Sequence, residues 1–319
     1  MYLFYLILLF AAELAYFKIA NHYNIIDKPN HRSSHSEITI RGGGIIFPLS
    51  VLLWFVGTGF QYPLFISGLI IISTISFIDD IREFPKRWRL LAHLAAIVMV
   101  FWQLNLFSAN WMLLAAFIII VGVINAYNFM DGINGITGIY SLVTLSTLLY
   151  INQYQVIFIN TGLILSAIIG IIVFNFFNFR KKAVCFAGDV GSISIAFIIC
   201  FLLIKLMLTT GNISYVLILA VYGIDTAFTM ILRLTNGENI FLAHRAHLYQ
   251  LLVNERGFKH LTVAIIYGFI QLLINLNLLI TGRFNSYIFL GGFLIILSII
   301  YLVLRYWVNN RQLYKTKPF

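Results

Sequence analysis

Long apolar segments alternate with shorter polar ones along the whole chain. Eleven apolar segments are candidates for membrane-spanning helices, and they cover residues 2–20, 44–60, 63–78, 90–105, 111–127, 137–150, 156–174, 191–208, 214–232, 261–280 and 286–305. A helix needs about 20 apolar residues to cross a bilayer, and lipid admits only helices or closed barrels. The sequence lacks the alternating strands typical of barrels. The pattern therefore predicts an all-α, polytopic membrane protein with about eleven transmembrane helices.

Composition strengthens this prediction. The 319 residues are 61% hydrophobic and 10% charged, with a mean hydropathy of +0.94, whereas soluble domains contain about 25% charged residues. The N-terminal residues are apolar from the start, without a basic segment or a cleavage site, so we expect a first transmembrane helix and not a cleaved signal peptide. We expect one domain over 1–319, with polar loops at 21–43, 79–89, 125–136, 175–190 and 233–260.

Charged residues divide unequally between the two sides of the predicted membrane. Of the 21 Lys and Arg residues, all but Lys205 and Arg283 fall on one side. The positive-inside rule makes that side cytoplasmic, which puts the N-terminus outside and the C-terminus in the cytoplasm. The net charge of +10 is then a topology signal that also attracts lipid phosphates, and it does not indicate nucleic-acid binding. All acidic residues except Glu13 and Asp225 map to the same side.

One polar stretch, Asn125–Gly135, follows a long apolar run. Asn125, Asn128 and Asp131 recur at a spacing of three, which makes them neighbours on a helix surface. Carboxylate and amide oxygens suit Mg²⁺ or Mn²⁺, and polar groups at a membrane helix end are unfavourable unless they hold something. The alternative is an ordinary C-terminal helix cap ending in glycine.

A second acidic motif, Asp79-Asp80, ends the third apolar segment. Adjacent carboxylates repel each other and favour either a metal ion or a role as a base. The alternative is a solvated helix end in which each Asp pairs with an Arg.

Three further motifs lie on the same side. Asp189, within Phe186–Ser192, lies at the start of a predicted helix. It is either a metal ligand or an ordinary N-cap. His244, Arg245 and His247 offer donors for phosphate or sugar, but they make a weak zinc motif, and a solvated basic loop is the alternative. Arg41 precedes Gly42–Gly44 at a helix start, which predicts either an anion-binding nest or a flexible linker.

Together, these motifs place carboxylates for a divalent metal and cationic donors for phosphate at the height of the lipid head groups. That combination indicates phosphoryl transfer between a soluble phosphate ester and a lipid phosphate. Two alternatives are a membrane transporter, which would place polar residues near the midplane, and a CDP-alcohol phosphatidyltransferase. The latter needs an Arg soon after Asp131-Gly132, and none occurs before Arg180.

The motifs, in this order, resemble those of the polyprenyl-phosphate N-acetylhexosamine-1-phosphate transferases, also called glycosyltransferase family 4. The resemblance rests on Asp27–Gly44, Asp79-Asp80, Asn125–Gly132, Phe186–Ser192 and His244–His247. The forms Arg87-Trp-Arg-Leu90 and His-Arg-x-His are similar to those of the branch that initiates O-antigen synthesis. Three positions depart from the family pattern: Asn134 stands where relatives often have a second Asp, Arg180–Ala183 replaces Pro-Pro-Ala, and Ala187 replaces Met.

The resemblance implies transfer of an N-acetylhexosamine-type sugar 1-phosphate from a UDP-sugar to undecaprenyl phosphate, with release of UMP, at the cytoplasmic face of the bacterial inner membrane. It implies Mg²⁺, or alternatively Mn²⁺, as cofactor. The implied metal ligands are Asn128, Asp131 and Asp189; the implied catalytic residues are Asp79 and Asp80; the implied substrate-binding residues are Asn125, Arg41, Gly43, Gly44, His244, Arg245 and His247. Direct attack by the lipid phosphate and a two-step route through an aspartyl-phosphate both agree with these residues.

Overall fold

The computed structural model describes residues 2–28, 37–82, 84–108, 110–239, 242, 244–281 and 287–315. Twelve α-helices occur in this part of the chain: α1 Tyr2–His22, α2 Ile46–Gly57, α3 Pro63–Ile81, α4 Lys86–Gln103, α5 Asn110–Met130, α6 Ile136–Tyr154, α7 Thr161–Asn178, α8 Gly188–Thr210, α9 Ala220–Thr235, α10 Leu248–Asn254, α11 His260–Thr281 and α12 Tyr287–Lys315. The all-α prediction is confirmed. Residues 29–36 of the Asp27–Gly44 stretch that contributes to the resemblance lie outside the described residues.

Each of the eleven predicted apolar segments coincides with one of these helices, and the short α10 is an addition within the predicted loop 233–260. Within the described ranges, eight helices are long and apolar enough to cross a membrane. The count of eleven spans and the sidedness of the termini stay predictions. A two-residue antiparallel pair, β1 Ile26–Asp27 with β2 Thr39–Ile40, also forms in a loop for which the sequence predicted no strand.

Helix α8 is the centre of the bundle. In its most apolar stretch, 89% of the residues are buried inside the protein, compared with 11% for α12 and 28% for α1. It packs on α3, α5, α2 and α6, and its side chains are apolar on every face, as expected for a helix without a lipid-facing side. Because α8 begins at Gly188, the centre of the fold carries Asp189 to the end of the bundle.

A glycine contact brings the start of α2 against the start of α8. Gly43 N–H donates to the Phe186 carbonyl at 2.9 Å, and Gly44 N–H donates to the Ala187 carbonyl at 3.1 Å. A Cβ atom on Gly44 would overlap the backbone of Gly191. The glycines therefore allow two backbones to touch at the point where Asp189 is presented.

The chain before α9 forms a 3-10 helix, Ile213–Leu219, inside the bundle. A helix of this kind leaves backbone groups that lipid cannot satisfy. Gln271 of α11 supplies the partners: its side chain donates to the Leu217 carbonyl at 2.8 Å and accepts from Val221 N–H at 3.0 Å. The Tyr140 hydroxyl also donates to Gln271, at 2.7 Å. These hydrogen bonds fix the direction in which α9 leaves the 3-10 segment.

Candidate active site

Asp189, in the first turn of α8, is the point at which three other elements meet. Its carboxylate accepts from Arg89 of α4 at 3.2 Å and from the side-chain amide of Asn128 of α5 at 3.2 Å. Arg41, which follows β2, approaches it at 3.5 Å. Two guanidinium groups and an amide thus surround one carboxylate, which stays partly exposed at 19% of its side-chain surface.

The Asp80 side chain has no exposed surface, and its carboxylate accepts three hydrogen bonds. It accepts from Asp189 N–H and Val190 N–H, both at 2.9 Å, and from Arg41 Nε at 2.7 Å. Gly188, at φ +70, leaves room for this carboxylate, which a Cβ atom there would approach to 2.5 Å. Asp80 therefore holds the first turn of α8 in place. The predicted action of Asp80 on substrate stays a prediction, and in this structure its enclosed carboxylate contacts Arg41 and the first turn of α8.

Asp79 faces a different neighbour. Its carboxylate forms an ion pair with Arg89 and accepts Phe84 N–H at 2.8 Å. The two adjacent carboxylates of the predicted motif thus diverge, and each has its own arginine. The alternative reading, Asp paired with Arg at a helix end, describes the contacts of both residues. Asp79 remains 10% exposed and shares Arg89 with Asp189.

Asp131 lies just after the end of α5, and Asn128 lies within its last turn. The Thr137 hydroxyl donates to the Asp131 carboxylate at 2.5 Å. Burial, together with the charges of Asp189 and Asp80, raises the pKa of Asp131 to about 7, against the opposing effect of the Thr137 hydrogen bond. A nearby cation would reverse this shift, which fits the expectation of a metal ligand.

Asn125 has a different contact from Asn128. It is exposed, and its amide donates to the Val121 carbonyl of its own helix at 2.7 Å. Asn125 lines the cavity described below, but within the described chain its amide nitrogen is used by α5. Asn125 and Asn128 therefore share a spacing in the sequence but not their hydrogen-bond partners.

The predicted anion nest at Gly42–Gly44 takes another role. The N–H groups of Gly43 and Gly44 are engaged by the Phe186 and Ala187 carbonyls, and both residues are buried. Substrate binding by these two glycines stays a prediction, and their N–H groups in this structure are hydrogen-bonded within the protein. Arg41 keeps its place at the site through Asp80 and Asp189.

The histidine motif is held by two charged residues of α9. His247 is fully buried, with Nδ1 3.4 Å from Asp225. Asp225 also accepts Leu248 N–H at 3.0 Å and the Tyr267 hydroxyl at 2.7 Å, so it anchors the start of α10. His244 Nδ1 lies 2.8 Å from Arg233.

One further contact joins the histidine motif to the Asp131 motif. The Tyr249 hydroxyl of α10 donates to the Phe129 carbonyl at 2.9 Å. Gly132 faces the same hydroxyl, and a Cβ atom at this position would overlap it. Gly132 is therefore needed for the approach of α10 to the end of α5.

A cavity of about 1070 Å³ connects the Asn125–Gly132, Asp189 and histidine motifs, and the Asp79-Asp80 and Arg41–Gly44 motifs lie outside its lining. Its polar end is lined by Arg89, Asn128, Asp131, Asp189, His244 and His247. Its other end is apolar and runs between α4 and α5, lined by Leu90, Leu94, Ile97, Phe117 and Val121. Arg245 lies outside this lining. The cavity therefore offers one continuous space with an ionic end and a hydrocarbon-like end.

Three site residues were not assigned a role from the sequence: Arg89, Arg233 and Asp225. Arg89 lies inside the motif that indicated the branch, but its contact with Asp189 depends on the packing of α4 beside α8. Asp225 did carry a usable signal, because an acid inside a membrane segment is unfavourable without a partner. Arg233, at the end of α9, carried no comparable signal.

Comparison with known protein sequences identifies related proteins. The sequence profile of Glycosyl transferase family 4 matches residues 62–207. A probable undecaprenyl-phosphate N-acetylglucosaminyl 1-phosphate transferase of Bacillus subtilis (strain 168) is 25% identical over 95% of this chain and 89% of its own length. Undecaprenyl-phosphate alpha-N-acetylglucosaminyl 1-phosphate transferases are similar at 26% identity in Yersinia pestis, covering 79% of this chain and 74% of that protein, and at 24% identity in Escherichia coli (strain K12), covering 77% and 74%. The match of residues 62–207 to glycosyl transferase family 4 and the names of these relatives support the resemblance to the polyprenyl-phosphate N-acetylhexosamine-1-phosphate transferases that the motifs indicate.

Proposed function

We propose that this protein transfers an N-acetylhexosamine-type sugar 1-phosphate from a UDP-sugar to undecaprenyl phosphate, and that UMP is the leaving group. The observation that carries the proposal is the single cavity whose ionic end contains Asp189, Asn128 and Asp131 and whose apolar end runs between α4 and α5. A soluble diphosphate and a lipid phosphate can meet in such a space.

The acceptor fits the α4 side of the cavity. Lys86, Arg89 and His93 line it at spacings of three and four residues, which places them on one face of the helix. Leu94 and Ile97 continue the same face into the apolar end. A lipid phosphate bound by Lys86 and Arg89 would leave its chain against the apolar residues.

The ionic end has a donor set that suits a divalent cation. Among the described residues, no group of three His, Cys, Asp or Glu side chains is arranged as a ready metal site. Asp131 and Asp189 are nevertheless two carboxylates lining one cavity with the amide of Asn128. Hard oxygen donors of this type suit Mg²⁺, with Mn²⁺ as the alternative. Asn128, Asp131 and Asp189 would hold the ion, which would neutralise the donor diphosphate.

The reaction follows from these positions. An oxygen of the lipid phosphate attacks the β-phosphorus of the UDP-sugar, the bond from that phosphorus to the bridging oxygen breaks, and UMP takes the electron pair. Arg89, which contacts both Asp79 and Asp189, would orient the acceptor phosphate beside the donor. Asp79 would accept the remaining proton of the lipid phosphate when that proton is present.

A two-step route would instead form an aspartyl-phosphate before the lipid attacks. Exchange of labelled UMP into the UDP-sugar, measured without undecaprenyl phosphate, separates the two routes. Exchange would support the covalent route, and its absence alongside normal transfer would support direct attack.

We place the reaction on the cytoplasmic face of the bacterial inner membrane, because the side that carries the motifs also carries most Lys and Arg residues. The glycan started there would be of the O-antigen type, which rests on the form of the Arg87–Leu90 and His244–His247 motifs. A transporter would use polar groups inside the membrane, but Asp225 is enclosed and bonded to α10 and Tyr267.

The test is Mg²⁺-dependent release of UMP by purified protein supplied with undecaprenyl phosphate and a panel of UDP-N-acetylhexosamines. We expect release with at least one sugar and none after Asp189→Asn. Glu37→Gln is the matched control, because Glu37 is an exposed acid that pairs only with Lys182 among the contacts described for it. Normal transfer by Asp189→Asn would contradict the site, and no release with any sugar would contradict the activity.

A further inference from the structure

Arg233 connects the last turn of α9 to the turn that carries the histidine motif. The residue is 4% exposed, and its guanidinium donates in three directions. It donates to the Glu238 carboxylate at 2.9 Å, to the Asn239 carbonyl at 2.7 Å and to the Leu242 carbonyl at 3.3 Å. The same group lies 2.8 Å from Nδ1 of His244.

The last contact determines where the His244 proton resides. A guanidinium has only donors, so Nδ1 of His244 must accept, and an accepting nitrogen carries no proton. The neutral ring then bears its proton on Nε2. That Nε2 atom is buried and has no hydrogen-bond partner within the described residues, and His244 lines the polar end of the cavity.

The surroundings also keep the ring uncharged. Burial and the neighbouring His247 and Arg233 lower the pKa of His244 to about 4, against the opposing effects of the Leu242 backbone and of the Glu238 charge. His247 and the Phe129 ring line the same cavity as His244, at centroid distances of 4.9 and 5.9 Å from its ring. At neutral pH the ring therefore offers one N–H donor and no charge.

We propose that Arg233 is a positioning residue that fixes His244 as the Nε2–H tautomer, so that His244 serves as an uncharged hydrogen-bond donor to an oxygen of the bound nucleotide sugar. The inference rests on the proposed function and deepens it, because it separates His244 from the cationic groups that meet phosphate. Arg233 itself lies outside the lining of the cavity and acts through the ring.

Amide substitutions test the donor position. The amide nitrogen of Gln can take the place of Nε2, whereas that of Asn lies nearer the place of Nδ1. We expect His244→Gln to keep kcat/KM for the UDP-sugar at least about tenfold above that of His244→Asn, as for one hydrogen bond in a buried site. Equal losses in the two variants would overturn the donor role.

A pH profile tests Arg233, because a purely structural residue would lower activity equally at every pH. Arg233→Gln removes the cation beside His244 and lets the ring take a proton in mild acid. We expect a new ionisation in kcat/KM between about pH 5 and pH 7, absent from the wild type and from the double variant Arg233→Gln/His244→Gln. A uniform loss without this ionisation would overturn the assignment.

The tautomer can be read without substrate. In protein labelled with ¹⁵N-histidine, the His244 signal is identified as the one that is missing from the spectrum of His244→Gln. At pH 7 we expect this signal to be that of a neutral ring protonated at Nε2. An imidazolium signal, or protonation at Nδ1, would overturn the proposal. Wild-type protein that releases no UMP would instead overturn the proposed function and the donor role with it, while the spectrum would still decide the tautomer.

Discussion

The carboxylate of Asp80 accepts the backbone N–H of Asp189 at 2.9 Å, although 109 positions separate the two residues in the chain. One acid of the site thus holds the backbone of another. Asp80 stabilises the first turn of α8, and Asp189 presents its side chain to the cavity from that turn.

This relationship predicts different consequences for two similar substitutions. Asp80→Asn leaves one amide nitrogen facing backbone N–H groups and removes the charge beside Arg41. We expect it to lower the free energy of unfolding by about 1–3 kcal/mol and to abolish transfer. Asp189→Asn should abolish transfer with little loss of stability. Thermal unfolding of both purified variants checks this, and equal melting temperatures for Asp80→Asn and wild type would contradict the positioning role.

Gly132 should not tolerate a side chain while Tyr249 keeps its hydroxyl. Because a Cβ atom at Gly132 would overlap that hydroxyl, we expect Gly132→Ala to reduce kcat/KM by about tenfold or more. Tyr249→Phe in the same chain should restore part of the loss, since contacting residues give non-additive effects. Gly223→Ala is the control, because a Cβ atom there meets nothing within 4 Å. Simple additivity of the two substitutions would argue against the contact.

Asp131 should make stability depend on pH. Its folded pKa of about 7 lies above its ordinary value of 3.8. Stability is therefore complete below the ordinary value, falls as pH rises between the two values, and stays low above about 7. The Asp131→Asn variant has no carboxylate here and does not lose stability in this way as pH rises. In EDTA we therefore expect its melting temperature to exceed that of wild type, by an amount that grows up to pH 7 and then levels off. The difference corresponds to on the order of 4 kcal/mol.

Addition of Mg²⁺ should shrink that difference at pH 8, because a bound cation favours the carboxylate of the wild type. A melting-temperature difference between wild type and Asp131→Asn that is constant from pH 5 to pH 8 would contradict the raised pKa. A difference that grows with pH but ignores Mg²⁺ would contradict the role of Asp131 as a metal ligand.

Lys86 should distinguish the two substrates. It lines the α4 side of the cavity, where we place the lipid phosphate. We expect Lys86→Gln to raise KM for undecaprenyl phosphate by about fivefold and to leave KM for the UDP-sugar unchanged, as for loss of one partly solvated charge contact. Arg87→Gln is the control, because Arg87 instead lies beside the Trp88 ring. An increase in KM for the UDP-sugar alone would indicate that the UDP-sugar, and not the lipid phosphate, binds beside Lys86.

The helices could be predicted from the sequence because an apolar segment of about 20 residues has few alternatives in lipid. All eleven predicted segments are helical. The gathering of Asn128, Asp131 and Asp189 at one cavity could be anticipated as well, since the C-terminal end of α5 and the N-terminal end of α8 fall on the same predicted side of the membrane.

The partners of the polar groups could not be predicted, because they come from distant parts of the chain. The N–H groups of Gly43 and Gly44 suit an anion when considered locally, but carbonyls of Phe186 and Ala187 take them. Asp79 and Asp80 look alike in sequence and turn toward different helices. Asn134 also has a long-range role: its amide donates to the carbonyls of Arg180 and Lys181 at 3.0 and 3.2 Å, which a carboxylate could not do. Two departures from the family pattern are therefore in contact.

The enclosure of α8 has a consequence for the order of assembly. Its main neighbours, α2, α3, α5 and α6, all precede it in the chain, so during synthesis they leave the ribosome before it does. Helix α8 then enters the bilayer beside partners that are already present, and most of its surface moves from lipid to protein contact. A nascent chain that ends after Thr210 should already protect α8 from lipid-soluble labelling reagents, and the later helices then add the wall that carries the histidines.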